Sequence, residues 1–306
     1  MIITVCCANT KVAPWLDGLR AALPGASVSE WKAGCEEADY AVVWAPPQQF
    51  IDEQHQLKAL FNIGAGVDAL TALRIPSHIK LVRLDDAGMS VQMAEYVCHA
   101  VIRHFREFDG YETDVAAGKW SYRKPRIRAE FPVGVMGLGV LGERVARALT
   151  QFDFPVLGWS RTSKQIELVQ CLSGATQFDQ FLARSKVLVC LLPLTADTQD
   201  IMRRETLSKL QPGGYVINVA RGGHLVDDDL IALIDEGHLT GATLDVFRTE
   251  PLPSAHPFWQ HPKITVTPHT SARTLRDESI AQIVGKIKAL EQGLTVAGIV
   301  EPQRGY

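Results

Sequence analysis

The sequence predicts an α/β protein made of two doubly wound, parallel-sheet domains, and three observations carry that expectation. Short β-rich runs alternate with helix-period stretches nearly throughout the 306 residues, the pattern of parallel sheets covered by helices on both faces. The chain is long enough for two domains of ordinary size, each able to bury its own core. A glycine-rich turn stands between a strand and a helix where a second series of strands begins.

In the first third, MIITVCC, ASVSEW, DYAVVWA, ALFNIGAG and IKLVRLDD read as strands. From Val91 to Tyr111, Met93, Val97, Val101, Phe105 and Phe108 recur at spacings of four, four, four and three, which is one face of an amphipathic helix. The stretch AAGKWSYRKPRIRAEF combines turn residues and charge with no period, so it reads as a connector between domains. Beyond it FPVGVM, PVLGWS, KVLVCLLP, GGYVINVA, ATLDVF and KITVTPH form a second strand series. With helical patterns between most of them, they suggest a complete Rossmann dinucleotide-binding domain. The last helix, from about Arg276 to Gln292, buries Ile280, Ile283, Val284, Ile287 and Leu290, and Gly293 terminates it.

Composition narrows the function classes. Hydrophobic residues at 46% and charged residues at 21% are globular values, against disorder and fibrous structure. The formal charge of -3 is nearly neutral, and the basic cluster Arg123, Lys124, Arg126 and Arg128 reads as a solvated loop, so nucleic acid is not an expected partner. The start, MIITVCCANT, reads as a strand running into a turn rather than a signal peptide, and a cytoplasmic location is expected. Apolar runs such as KVLVCLLP are broken within about ten residues, too short to cross a bilayer. Cys6, Cys7, Cys35, Cys98, Cys171 and Cys190 have no metal-site spacing. They read as small hydrophobes in a reducing compartment, and no metal is expected.

Gly137, Gly139 and Gly142 form a GxGxxG pattern in VGVMGLGVLGERVARAL. The first makes the tight turn, the second lets backbone approach a pyrophosphate, and the third lets the helix sit close to the strand. Amides at the helix start then face the negative charge. A bare match is equally a tight turn of small residues. The strand before it and the helical face of Leu141, Val145 and Leu149 after it favour the nucleotide reading.

At the end of the next strand, GWSRTSKQ places Arg161 where many such folds carry an acid that holds the adenosine ribose hydroxyls. A guanidinium there suits a 2′-phosphate instead, and Ser160 and Thr162 can add hydroxyl donors. A charge-assisted hydrogen bond contributes roughly 1.5 to 3 kcal/mol, so a ten- to hundredfold preference for NADP(H) follows. An exposed loop arginine is the plain alternative.

INVARGGHLVDDDLIALI, LDVFRTEPL and ITVTPHTSA each set a charged or titratable residue just past an apolar strand: Arg221, Glu250 and His269. Carboxyl ends of parallel strands border the ligand crevice, so the three can converge. A nicotinamide carries out hydride chemistry itself, leaving the protein to hold the acceptor and manage one proton. Arginine suits the planar acceptors of a 2-oxo acid. Histidine can protonate the carbonyl oxygen, and Glu250 would keep His269 charged and correctly turned. Singly, each has an ordinary explanation as a strand-end charge, a turn acid before Pro251 or a polar residue after Pro268.

GLGVLGERVA, LLPLTADT, NVARGGHLVDDDLIALIDEGHLTGATLDVF, EPLP and TPHTSA resemble the D-isomer-specific 2-hydroxyacid dehydrogenases. FNIGAGVDAL resembles the family's substrate-carboxylate loop and MAEYV its interdomain helix; VVWAPP, RLDDAGM, WSRT, PFWQHP and the ending RGY resemble a branch acting on glyoxylate and hydroxypyruvate. The resemblance implies a flavodoxin-like substrate domain of residues 1–98 with 276–306, and a dinucleotide-binding domain of residues 99–275. It implies that Arg221 binds substrate, Glu250 supports the histidine and His269 donates the proton. Gly64, Ala65, Gly66 and Val67 would offer backbone amides to the substrate carboxylate, with Trp44 and Met89 walling the pocket. Cofactor contacts would come from Gly137, Leu138, Gly139, Val140, Leu141, Gly142, Ser160, Arg161, Thr162, Leu192, Pro193, Thr198, Ala220 and Asp245. Most of the family carries an aspartate near position 161 and uses NAD, so Arg161 marks a departure.

These features together predict a homodimeric NADPH-dependent reductase of small 2-oxo acids, with Trp120 placed to reach a partner subunit. A reductase of larger D-2-hydroxy acids uses the same machinery. A nucleotide-sensing, corepressor-like module leaves the Arg221, Glu250 and His269 set without a task, and a methyltransferase leaves the arginine and the proton donor idle.

Overall fold

The computed structural model describes residues 1–64 and 66–300. Ala65 of the expected carboxylate loop and the RGY ending lie outside the described residues. Packing divides the chain into two compact units, Met1–Met89 with the segment from Arg273 onward, and Ser90–Ala272. The sequence reading placed the crossings at 98/99 and 275/276.

The smaller unit carries a parallel five-stranded sheet in the order β2-β1-β3-β4-β5. Its strands are β1 (Ile2–Cys7), β2 (Ser27–Glu30), β3 (Tyr40–Trp44), β4 (Ala59–Asn62) and β5 (Lys80–Val82), matching the runs read from sequence. Its helices are α1 (Ala13–Ala22), α2 (Gln48–Glu53) and α3 (Asp68–Thr71), and α4 (Met89–Phe105) leads out of the unit. Neighbouring strand residues point to opposite faces, and both faces are apolar. Ile3, Val5, Tyr40, Val42 and Phe61 pack with Trp15 and Leu19 of α1, while Cys6, Ala41, Val43 and Leu60 pack with Phe50 and Ile51 of α2. This strand order is the flavodoxin-like one.

The larger unit continues with α5 (Phe108–Ala116), β6 (Val133–Met136), α6 (Val140–Thr150), β7 (Val156–Ser160), β8 (Val169–Ser173), α7 (Phe178–Arg184) and β9 (Val187–Cys190). Then follow α8 (Arg204–Leu207), β10 (Gly214–Asn218), α9 (Asp227–Asp235), β11 (Leu239–Leu244) and β12 (Ile264–Val266). Its parallel seven-stranded sheet runs β12-β11-β10-β9-β6-β7-β8, a Rossmann order with one further strand. Val133, Val135, Val187 and Val189 face α4 and α6, while Met136, Leu188, Cys190 and Val216 face α7 and α9. The last helix, α10 (Arg276–Glu291), returns to the smaller unit, where Ile280, Ile283, Val284 and Ile287 enter its core.

Three stretches differ from the sequence reading, the first being the edge strand β8, which lies outside the six runs read from sequence. The amphipathic stretch from Val91 to Tyr111 is not one helix, because Glu107 takes a left-handed φ of 54° between α4 and α5. Met93, Val97, Val101 and Phe105 are buried as their spacing predicts, whereas Phe108 is exposed. The stretch AAGKWSYRKPRIRAEF lies within the larger unit and not between the two, since the buried face of α4 already packs with Val133, Val145 and Leu149.

Candidate functional site

The strands of the larger sheet are parallel, so their carboxyl ends share one edge, and most of the residues singled out in the sequence sit there. β6 leads to Gly137, β7 to Arg161, β9 to Leu192, β10 to Arg221, β11 to Asp245 and β12 to His269. Each side chain is thus placed by the strand before it.

At the glycine turn, Gly137 has a φ of 100°, and a Cβ there would sit 2.7 Å from the Leu191 carbonyl. A Cβ on Gly142 would overlap the Gly137 carbonyl, so only glycine lets α6 start this close to the turn. Gly139 caps α6, and a Cβ on it would meet nothing within 4 Å. That open face, beside helix amides lacking intrahelical acceptors, fits the pyrophosphate of a dinucleotide. Leu138 turns into the core and packs on Gly158, Leu141 is half-buried, and Val140 is exposed.

After β7, Arg161 and Thr162 are exposed. Ser160 is buried, and its hydroxyl donates to the Thr162 carbonyl at 2.8 Å, so that proton is committed within the loop. Following β9, Leu192 is buried and Pro193 exposed. The Thr198 hydroxyl donates to the Pro193 carbonyl at 2.7 Å and accepts from the Thr195 N–H at 2.8 Å, closing the loop on itself.

β10 ends at Asn218, which is fully buried. Its amide donates to the Arg221 carbonyl at 3.0 Å and accepts from the Ala220 N–H at 3.2 Å, shaping the turn that presents Arg221. The guanidinium, half-buried, donates to the Ala220 carbonyl at 2.6 Å. A Cβ on Gly222 would overlap the Phe247–Arg248 peptide, so glycine brings the Arg221 turn against the segment that carries Glu250.

Glu250 accepts from the Phe247 N–H at 3.0 Å through Oε1, and Oε2 lies 2.8 Å from His269 Nδ1. With Nδ1–H donated to the carboxylate, Nε2 is the ring nitrogen left without that bond, on a side chain 45% exposed. His269 holds a left-handed φ of 52°, a conformation that costs a non-glycine residue on the order of 1 kcal/mol and clusters at functional sites. Asp245 sustains it. Fully buried, its carboxylate accepts from the Thr267 hydroxyl at 2.5 Å and from the Thr270 and Ser271 N–H groups at 2.8 Å, while its carbonyl accepts from the His269 N–H at 2.9 Å. The Tyr96 hydroxyl bonds Thr267 Oγ1 at 2.5 Å, anchoring α4 to the same turn.

Other expected site residues belong to the smaller unit. Asn62, buried, donates to the Gly64 carbonyl at 3.0 Å and the Gly66 carbonyl at 2.7 Å. The Gly66 carbonyl and Val67 N–H share one planar trans peptide, so that N–H points away from Asn62. A Cβ on Gly64 would overlap the half-exposed Trp44 ring, so the indole lies against the loop backbone. Met89 is buried at the start of α4.

Asn62, Tyr96, Asn218 and His224 were not singled out in the sequence. Polar residues inside apolar runs, as in ALFN, YVIN and RGGHLV, are the signal they leave, since a buried polar group must find a partner.

The family described as D-isomer specific 2-hydroxyacid dehydrogenase, NAD binding domain, matches residues 98–271. A protein of Serratia proteamaculans named glyoxylate/hydroxypyruvate reductase A is 46% identical over 299 residues, covering 95% of this chain and 96% of that one. One of the same name from Yersinia enterocolitica is 43% identical, with the same coverage. The crystal structure of a D-isomer specific 2-hydroxyacid dehydrogenase from Xanthobacter autotrophicus Py2 in complex with NADPH and MES is 40% identical, with a TM-score of 0.95 over 100% of this chain and 99% of that one. An NADPH-dependent glyoxylate/hydroxypyruvate reductase of Sinorhizobium meliloti, solved with NADP and sulfate, is 34% identical, with a TM-score of 0.92 at the same coverage. With its glycine turn, arginine, glutamate and histidine on one sheet edge, the chain belongs to the D-isomer-specific 2-hydroxyacid dehydrogenase family.

Proposed function

We propose that this chain reduces small 2-oxo acids with NADPH, taking glyoxylate to glycolate and hydroxypyruvate to D-glycerate. The observation that carries the reading is the 2.8 Å contact between His269 and Glu250, set on the sheet edge that also holds the glycine turn and Arg221. The names of the Serratia and Sinorhizobium relatives support it.

NADPH, when bound, supplies the hydride. Arg221 receives the substrate's carboxylate and carbonyl oxygen with a forked donor, and His269 gives its Nε2 proton to that oxygen. Glu250 fixes the imidazole tautomer and orientation. The amides of Gly64, Gly66 and Val67 and the side chains of Trp44 and Met89 are the smaller unit's proposed contribution to substrate binding. Gly137 to Gly142 seat the pyrophosphate; Arg161 and Thr162, with Ser160 shaping their loop, take the 2′-phosphate. Leu192, Pro193, Thr198 and Ala220 border the cofactor, and Asp245 acts on it through the His269 turn.

The same reading makes the protein a cytoplasmic homodimer. Trp120, Tyr122 and Ile127 are large, exposed and close in sequence, the kind of apolar surface a second copy covers. No helix among the described residues is long and apolar enough to cross a membrane.

Initial rates test the reading: NADPH or NADH with glyoxylate, hydroxypyruvate, pyruvate or phenylpyruvate. NADPH with the two small acids is expected to be fastest, with NADH ten- to a hundredfold weaker. A faster rate on phenylpyruvate would indicate a reductase of larger acids, and no oxidation with any acceptor would indicate a binding protein.

A further inference from the structure

His224 is fully buried, in the turn just after Arg221. Its Nδ1 lies 3.0 Å from the Arg221 carbonyl and its Nε2 lies 3.2 Å from the Pro193 carbonyl. Both partners accept only, so a ring protonated on both nitrogens donates to each at once, and a neutral ring donates to one. Leu225 and Met202, both buried, pair beside it, an apolar setting in which an imidazole is tolerated only when hydrogen-bonded.

Each carbonyl also has a local donor, Asn218 for Arg221 and the Thr198 hydroxyl for Pro193, at 3.0 and 2.7 Å. Those donors shape each turn separately. Backbone bonds join the two segments farther along, Asp200 N–H to the Gly223 carbonyl at 2.9 Å and Met202 N–H to the His224 carbonyl at 2.8 Å. The His224 ring spans them at the Pro193 end, nearest the carboxyl end of β9.

We infer that His224, with a proton on each ring nitrogen to meet its two carbonyl acceptors, is a positioning residue: one buried ring ties the turn that presents Arg221 to the loop that begins at Pro193, setting the substrate arginine and the cofactor loop relative to each other. The inference rests on the proposed roles of Arg221 and of the 192–198 loop. It yields a specific asymmetry. In His224→Asn the amide nitrogen takes the place of Nδ1 and keeps the Arg221 end; in His224→Gln it takes the place of Nε2 and keeps the Pro193 end.

The test measures two constants on each full-length variant: the NADPH dissociation constant, by titrating nicotinamide fluorescence without substrate, and KM for glyoxylate. His224→Asn is expected to raise the NADPH constant about fivefold, the effect of one net hydrogen bond, and to leave KM within about twofold. His224→Gln is expected to do the reverse, and His224→Leu to raise both. Equal effects of the Asn and Gln variants, no effect of either, or failure of both to fold overturn the inference. Arg221→Gln, assayed in parallel, separates the failures. An unchanged glyoxylate KM there overturns the assignment of Arg221 and this tie with it, whereas a raised KM with indistinguishable His224 variants overturns the tie alone.

Discussion

His269 shows how a single residue is prepared by its surroundings. Its left-handed backbone is held by Asp245, and its ring by Glu250 at 2.8 Å. Removing the ring removes the proposed proton donor without disturbing the core, since the side chain is 45% exposed. His269→Ala is therefore expected to lower kcat by about 10²- to 10⁴-fold with an unchanged melting temperature. A near-normal kcat contradicts the role. Gly142→Ala acts differently, because its Cβ would collide with the Gly137 carbonyl and displace the start of α6. Weaker NADPH binding is expected, read by fluorescence titration, and an unchanged dissociation constant would contradict the close approach. Asp245 marks the limit of reading residues singly. The family resemblance singled it out, but the three hydrogen bonds that commit its carboxylate to the 267–271 turn depend on β11 and β12 lying side by side.

At the scale of elements, strands were legible where they are apolar throughout, as in YAVVW and VLVC, because central parallel strands are buried on both faces. The edge strand β8, VQCLS, is half-exposed, so its composition carries little signal. The break after α4 was not legible either, since the apolar spacing runs on to Phe108 while the backbone turns at Glu107. Near that break lies His104, nine-tenths buried and stacked on Tyr215 with ring centroids 4.0 Å apart. Burial first, then the charges of Arg126 and Lys186, hold its pKa down to about 3 from an ordinary 6.5. Above pH 6.5 folded and unfolded chains both carry it neutral. As pH falls from 6.5 toward 3 only the unfolded chain takes up the proton, so stability drops over that window. His104→Phe keeps the stacking and removes the proton uptake. Compared with the parent protein in urea titrations, it is expected to gain roughly 1–3 kcal/mol at pH 4.5 relative to pH 8. An equal difference at the two pH values would contradict the buried neutral histidine.

Across the whole molecule, the chain leaves its first unit at Met89 and re-enters at Arg273. Periodicity revealed the buried face of α10 but not which sheet it covers. Ile280, Ile283, Val284 and Ile287 pack with Ile3, Trp15 and Leu19, and each buried aliphatic side chain contributes about 1.5–3 kcal/mol. A chain ending at Ala272 is expected to leave the smaller unit unfolded, seen as lost helix and sheet signal in circular dichroism; a native spectrum would contradict that packing. The proposed catalytic residues were legible for a related reason. In a parallel sheet every strand delivers its following residue to the same edge, so Arg221, Glu250 and His269 could be assigned to one edge from strand ends alone. The partners of Asn218, Asp245 and His224 emerge only when the strands are laid in order. Hydride delivery at that edge is tested most directly by incubating the protein with glyoxylate and NADPH deuterated at the transferable C4 position, then examining the glycolate by mass spectrometry and NMR. The predicted result is one deuterium on the hydroxyl-bearing carbon, formed at least a hundredfold more slowly by His269→Ala. Glycolate without deuterium, or no NADPH consumed, would contradict it.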